Sequence, residues 1–471
     1  VAWLSELSYN IAASRMSEEA LEDFWPVGPS KTYGASSSPT IPENLKAGLQ
    51  QFLDRQHELQ KMLGQVTSHV GSNAWAVDGR KTDSGMPMLA GDPHLGLRMP
   101  GKWYEIHLHV NGRDISGATV PGAPYFIVGQ NDFMAWSITL LMADDTDFFL
   151  EQENPNDRSM YVVDSVKNEA VYQPFSVDRQ RIKVSNGDEE ILTIRSTKHG
   201  PIISDIYPND SLIANRQIAL KWAGLEPGTD ARAFHMLNWA SDFQEFQDAV
   251  HYLDIPALNF TYADQAGNIG LFSRGRVPIR DGKGVQLRKG WKPENDWRGY
   301  IPREELPETI NPDKGWVANA NNPVVDDNYP YHITSYWEPP SRIDRIRAYL
   351  NSNESYTLQL FRTMQNDTYS QHARELTQLI LPILNRPEFR EEFATIISYL
   401  RNWDYSYEPR ETAASILDVF FLKLSRNILE DDMGKEAYNR FIRVANLPVR
   451  TVNYLLKEAP EAVLESLEVI T

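Results

Sequence analysis

Cysteine is absent from the 471 residues. That removes disulfides, thiolate nucleophiles and cysteine-held zinc, and it leaves the cellular compartment open. No apolar run reaches the roughly 18 to 20 residues that a membrane-spanning helix needs. The opening at Val1 also lacks the basic start and apolar middle of a signal peptide. Positive charge is scarce: 46 Lys and Arg face 64 Asp and Glu, a net charge of −18 that repels nucleic-acid phosphates and anionic lipid. A soluble chain with no nucleic-acid or membrane partner is expected. Familiar catalytic signatures are missing too. No second histidine follows His57-Glu58 at helical zinc-protease spacing, no serine occupies a G-x-S-x-G elbow, and no glycine-rich loop carries the lysine of a phosphate site. The chemistry therefore has to come from hydroxyls, carboxylates, histidines or amines.

What is present suits a large folded core. Hydrophobic residues make up 41% and aromatics 11%, with 21 Tyr and 12 Trp, which excludes disorder over most of the chain. The length allows one big domain or two intermediate ones. Residues 1–26 have a helical pattern that stops at Pro26. A Ser/Pro/Gly-rich stretch from Val27 to Pro42 reads as an exposed linker, and Leu45, Leu49, Phe52, Leu59 and Leu63 predict an amphipathic helix ending before Gly64. From Ser72 the texture changes to alternating runs. Tyr104, Ile106, Leu108 and Val110 alternate with polar residues up to Asn111-Gly112, a two-residue hairpin turn. A second hairpin is expected between residues 260–263 and 269–272. Helical segments are expected at Thr229–Leu253, Tyr356–Ile383 and Glu391–Asn402. Antiparallel strands with helices grouped elsewhere predict an α+β layered sandwich. His107 and His109 share a strand face, which fits a half-solvated strand better than a metal site.

One stretch carries chemistry. Val70-Gly71-Ser72-Asn73-Ala74-Trp75-Ala76-Val77, followed by Leu89-Ala90-Gly91-Asp92-Pro93-His94-Leu95, resembles the start of the large chain in the penicillin acylase family. The resemblance continues in order through Val120-Pro-Gly-Ala-Pro124, Val128-Gly-Gln-Asn131, Ala135-Trp136-Ser137, Asp144-Asp145-Thr146-Asp147, Asn259-Phe-Thr-Tyr-Ala-Asp264, Gly275-Arg-Val-Pro-Ile-Arg280, Ala320-Asn-Asn322 and Trp337-Glu-Pro-Pro340. It implies an N-terminal-nucleophile (Ntn) hydrolase with a four-layer αββα sandwich of antiparallel sheets. Residues 1–71 would be the C-terminal part of a small chain with its linker. Residues 72–471 would be a large chain, cut short at its C-terminus. Both chains would come from one precursor, in a periplasmic or secreted setting.

The proposed nucleophile makes physical sense. A serine hydroxyl needs a base, and no histidine–carboxylate triad is evident around Ser72. Cutting the Gly71-Ser72 bond would free an α-amine with a pKa near ~8, able to accept that proton. Glycine at 71 would let the backbone bend toward the hydroxyl. By resemblance, the oxyanion donors are the Asn259 side chain and the Leu140 backbone N–H. Arg280 is the cation near the nucleophile, Asn73 supports the amine, and His94 orients the substrate.

Also by resemblance, Leu95, Val128 and Ile138 line an apolar acyl pocket, and Asp144 and Asp147 hold a structural calcium. The small-chain carboxylate expected to complete that metal site has no counterpart near Tyr9 to Ser14. No organic cofactor is implied. The expected activity is hydrolysis of a small-molecule N-acyl amide of penicillin type. Cleavage of acyl-homoserine lactones is the alternative within the same chemistry, and an inactive binding or structural module is the alternative outside it.

Overall fold

The computed structural model describes Glu6 and residues 71–96, 99–166, 169–185, 187–206, 216–352, 355–442 and 447–458. The helices expected over 1–26 and 42–64 and the linker between them lie, Glu6 apart, outside the described residues. The described chain starts on β1 (Gly71–Val77) and returns on β2 (Met88–His94). It continues through β3 (Tyr104–Val110), β4 (Arg113–Thr119), β5 (Val128–Asn131) and β6 (Met134–Leu140). An excursion then runs from β7 (Thr146–Asn154) to β8 (Arg216–Trp222), with further strands between them. Helices α1 (Asp230–Trp239) and α2 (Phe243–His251) lead to β9 (Leu258–Asp264), β10 (Ile269–Arg274), β11 (Glu308–Ile310) and β12 (Trp316–Asn319). After these come α3 (Ser341–Ser352), α4 (Leu358–Gln365), α5 (Gln371–Leu384), α6 (Ala394–Asn402) and the 22-residue α7 (Thr412–Met433).

Two antiparallel sheets place the site. One has the order β12-β1-β2; the other has seven strands in the order β11-β10-β9-β6-β5-β4-β3. Side-chain alternation assigns their faces. On β9, Leu258, Phe260 and Tyr262 pack with Phe234 and Leu237 of α1 and Phe246 of α2. On β1, Trp75 and Val77 pack with Ile343, Ile346 and Leu350 of α3 and Phe361 of α4. The opposite faces meet each other, with Ala76 against Ala263, Ile269 and Val317. Helix, sheet, sheet and helix therefore stack as the four layers expected. The sheets approach closely: a side chain at Gly91 would run into Ser137 Oγ.

Both expected hairpins form. Val110 pairs with Arg113 across Asn111 and Gly112, both at positive φ (53° and 76°), and residues 258–263 pair with 269–274. The segment expected as one helix from Thr229 to Leu253 is two, because Asp242 accepts from Glu245 N (2.8 Å) and starts α2 afresh. Ser370 likewise caps α5 and divides the segment expected over Tyr356–Ile383. His107 and His109 both reach Asp114 Oδ1 at the surface, at 2.7 and 3.2 Å.

Candidate active site

Ser72 is the second residue of β1, on the face turned toward the seven-stranded sheet, and it is only 6% exposed. In this continuous chain its nitrogen is a peptide N–H, standing for the amine nitrogen that scission after Gly71 would free. That N–H donates to Asn321 Oδ1 at 2.8 Å. Two donors converge on the hydroxyl: Leu140 N–H, at the end of β6, lies 3.4 Å from Ser72 Oγ, and the Asn321 side-chain amide lies 3.3 Å from it. Asn321 Nδ2 also donates to Leu140 O at 2.9 Å. Asn321 sits just after β12 with φ 62°, a left-handed conformation that Asn tolerates better than most residues.

The guanidinium that reaches Ser72 belongs to Arg342, at the start of α3. Its Nη1 donates to Ser72 O (2.9 Å) and Asn73 Oδ1 (2.7 Å), and its Nη2 to Asn321 Oδ1 (3.0 Å). Burial lowers the Arg342 pKa from its ordinary value, although nearby Glu338 works against this. Asn73 points to the helix side of β1, where its Nδ2 donates to Asp92 Oδ2 at 3.2 Å. His94 Nε2 lies 2.8 Å from the same oxygen. Burial would raise the Asp92 carboxyl, but the His94 and Asn73 hydrogen bonds outweigh it and hold the group below the usual carboxylate range. Gly71 pairs with His94 in extended strand rather than in a bent, left-handed conformation. A Cβ there would lie 3.1 Å from Arg342 Nη2 and 3.3 Å from His94 Nδ1, so crowding is what glycine avoids at this position.

Asn259 and Arg280 do not stand where the resemblance put them. Asn259 is fully buried between the sheets, with its amide donated to Thr139 Oγ1 (3.2 Å) and Asn319 Oδ1 (3.3 Å) rather than to Ser72. Arg280 is buried in an ion cluster. It pairs with Asp144, donates to Asp144 O (3.0 Å) and lies 3.3 Å from Asp147 Oδ2, while Arg288 lies 3.1 Å from Asp147 Oδ1. Glu6, fully buried, faces the same cluster and lies just before residues 9–14, where no acid is found. Burial, then Asp144 and Asp147, push its carboxyl well above the usual range. Burial also raises Asp144 to about 7 against the pull of Arg280.

Two guanidinium groups thus meet three carboxylates. Among the described residues, no group of three or more His, Asp or Glu side chains is placed to hold a metal ion. The residues at Asp144 and Asp147 are engaged by arginine and do not fit a divalent cation as they stand.

The pocket residues are also dispersed. Gly129 pairs with Trp136, so alternation puts Val128 and Ile138 on opposite faces of the sheet. Ile138 packs against the α1–α2 core, and Leu95 is half-buried just beyond β2. The three do not form a single wall. Asn321 was within reach of the sequence, inside Ala320-Asn-Asn322. Arg342 follows Trp337-Glu-Pro-Pro340 by two residues, and nothing in its spacing marked it.

Comparison with known proteins identifies the family. The penicillin amidase family model matches residues 1–468. The chain belongs to the penicillin amidase family. It is 31% identical over 391 residues to a penicillin acylase 2 proenzyme from Pseudomonas sp. (strain SE83), covering 82% of this chain and 49% of that protein. It is 26% identical over 420 residues to the acyl-homoserine lactone acylase QuiP of Pseudomonas aeruginosa, covering 83% and 48%. The chain thus spans about half the length of these curated relatives. Among solved structures, a thermostable penicillin G acylase from Alcaligenes faecalis superposes with a TM-score of 0.66 at 21% identity, over 78% of this chain and 66% of that one, a likeness of fold.

Proposed function

We propose that the protein is an amide-hydrolysing acylase acting through Ser72 once the Gly71-Ser72 bond is cut. The observation that carries this is the convergence of the Leu140 N–H and the Asn321 amide on a buried Ser72 Oγ whose own nitrogen is held by Asn321 Oδ1. Ser72 Oγ attacks the amide carbonyl while the freed α-amine takes the hydroxyl proton. The carbonyl oxygen becomes an anion that accepts hydrogen bonds from Leu140 N–H and the Asn321 amide, each such donor contributing about 3 to 4 kcal/mol to lowering the barrier. The α-ammonium passes its proton to the departing amine and leaves an ester on Ser72. Water, deprotonated by the same amine, then releases the acid. Arg342 beside the amine disfavours the ammonium form and keeps the base neutral. This is the part first assigned to Arg280, just as Asn321 takes the part assigned to Asn259. His94, held by Asp92, orients the start of the site.

No step passes through a metal, because Arg280 and Arg288 already engage Asp144 and Asp147. The substrate is a small N-acyl amide. The choice of acyl group rests on the family resemblance, since Ile138 and Leu140 pack against the α1–α2 core. Similarity to QuiP supports a second reading, in which the acyl chain belongs to an acyl-homoserine lactone. A periplasmic or secreted setting rests on the family resemblance.

The test is hydrolysis of a panel of phenylacetyl, phenoxyacetyl, glutaryl and fatty-acyl amides and acyl-homoserine lactones, by the full-length natural protein and its Ser72→Ala variant. Ser72-dependent release of one acyl class is expected. Equal activity in the two proteins would place the chemistry away from Ser72, and no activity in either would favour a binding module instead.

A further inference from the structure

The donors around Ser72 Oγ are themselves held, and one atom does the holding. Asn319 Oδ1, fully buried at the end of β12 between the two sheets, accepts from three donors on three elements. These are Thr139 Oγ1 on β6 at 2.7 Å, Asn321 N in the turn after β12 at 2.9 Å, and Asn259 Nδ2 on β9 at 3.3 Å. The backbone N–H of Asn321 can only donate, so the end of the Asn319 amide that faces it is the oxygen. Ser273 Oγ donates to Asn259 Oδ1 at 2.7 Å, which turns the Asn259 amide toward Asn319.

We infer that Asn319 is the positioning residue of the oxyanion site, and that Thr139, Asn259 and Ser273 are the layer that keeps its oxygen in place. The inference rests on the acylase reading above and deepens it. Thr139 directly precedes Leu140, so its bond to Asn319 fixes the strand end that presents the Leu140 N–H. The Asn321 N–H bond closes a local turn around the left-handed residue whose amide is the other donor. One oxygen therefore sets the spacing of both donors. Asn319 touches neither Ser72 nor the reacting carbonyl and acts only through its neighbours. Asn259, which the sequence marked as a donor, belongs to this supporting layer.

The experiment uses the full-length natural protein, with scission after Gly71 confirmed by mass before kinetics are read. Asn319→Leu keeps the volume and removes the acceptor, whereas Asn319→Asp keeps the acceptor. Thr139→Val and Thr139→Ser form a second pair, read the same way should Asn319→Leu fail to fold or to cleave. The expected result is a fall in kcat on the order of 10- to 100-fold for Asn319→Leu and Thr139→Val, the scale that small misplacements of reacting groups produce. KM should stay within about threefold, and Thr139→Ser and Asn319→Asp should recover most of the loss. Folded, cleaved Asn319→Leu or Thr139→Val with kcat within about twofold of the parent would overturn the inference, as would equal losses in Thr139→Val and Thr139→Ser. Failure of the acylase reading looks different: Ser72→Ala would then hydrolyse as well as the parent.

Discussion

Each residue around Ser72 has a role set by where its element places it: Leu140 at the end of β6, Asn321 just after β12 and Arg342 at the start of α3. Asn321 donates to Ser72 Oγ through its amide nitrogen and accepts from Ser72 N through its oxygen, so the two ends of one side chain hold nucleophile and base together. Replacing it with alanine is expected to lower kcat by about 10²- to 10³-fold, the usual effect of losing one oxyanion donor. Steady-state kinetics on cleaved protein checks this, and a change confined to KM would count against the assignment. The structure brings together Ser72 and the Leu140 N–H that the family resemblance paired, because both follow from Gly71-Ser72 and a run of motifs in fixed order. The amide and the cation that reach Ser72 are Asn321 and Arg342 rather than Asn259 and Arg280, for a physical reason. Asn259 and Asn321 are both asparagines in recognisable motifs, and Arg280 and Arg342 both follow prolines, so residue type cannot tell which pair the sheet packing brings to Ser72.

At the scale of elements, β1 explains the site. Its small even-numbered residues, Ala74 and Ala76, let the sheets approach, while Trp75 and Val77 anchor it to α3 and α4. Gly71 opens this strand against Arg342 and His94, so Gly71→Val is expected to slow scission at Gly71-Ser72 by displacing those side chains, followed by the rate at which the precursor band disappears. Cleavage at the parent rate would show that the crowding is relieved cheaply. On the far side of the seven-stranded sheet, Phe246 is fully buried against Phe260, Tyr262 and Phe272. Phe246→Ala is expected to destabilise the fold by about 3 to 5 kcal/mol, read from denaturant unfolding. Strand alternation and the Asn111-Gly112 turn made the hairpins legible in advance. The helix breaks at Asp242 and Ser370 were not, because apolar periodicity continues across both caps.

Across the whole molecule, the αββα stack was legible through family resemblance and strand texture, whereas the charged core was not. Carboxylates and arginines far apart in sequence, Glu6, Asp144, Asp147, Arg280 and Arg288, meet only once the layers assemble. His332 lies beside this cluster, and burial, then Arg280 and Lys283, depress its pKa to about 4. The sign follows from linkage. Between pH 6.5 and 4 the unfolded chain binds a proton at His332 that the folded chain refuses, so stability is complete above pH 6.5 and falls as the pH drops toward 4. His332→Asn should lack this part of the acid sensitivity, up to about 3 kcal/mol, in unfolding midpoints compared between pH 7 and pH 4. Parallel pH profiles for the two proteins would rule it out.

The central claim is that Ser72 becomes a chain terminus and supplies its own base. Intact mass and N-terminal sequencing of the purified full-length protein, beside Ser72→Ala, test it most directly. Two chains, the second beginning Ser-Asn-Ala-Trp, are expected from the parent, and one uncut chain from the variant. An uncut parent that still hydrolyses its amide, or a variant cut at the same bond, would contradict it.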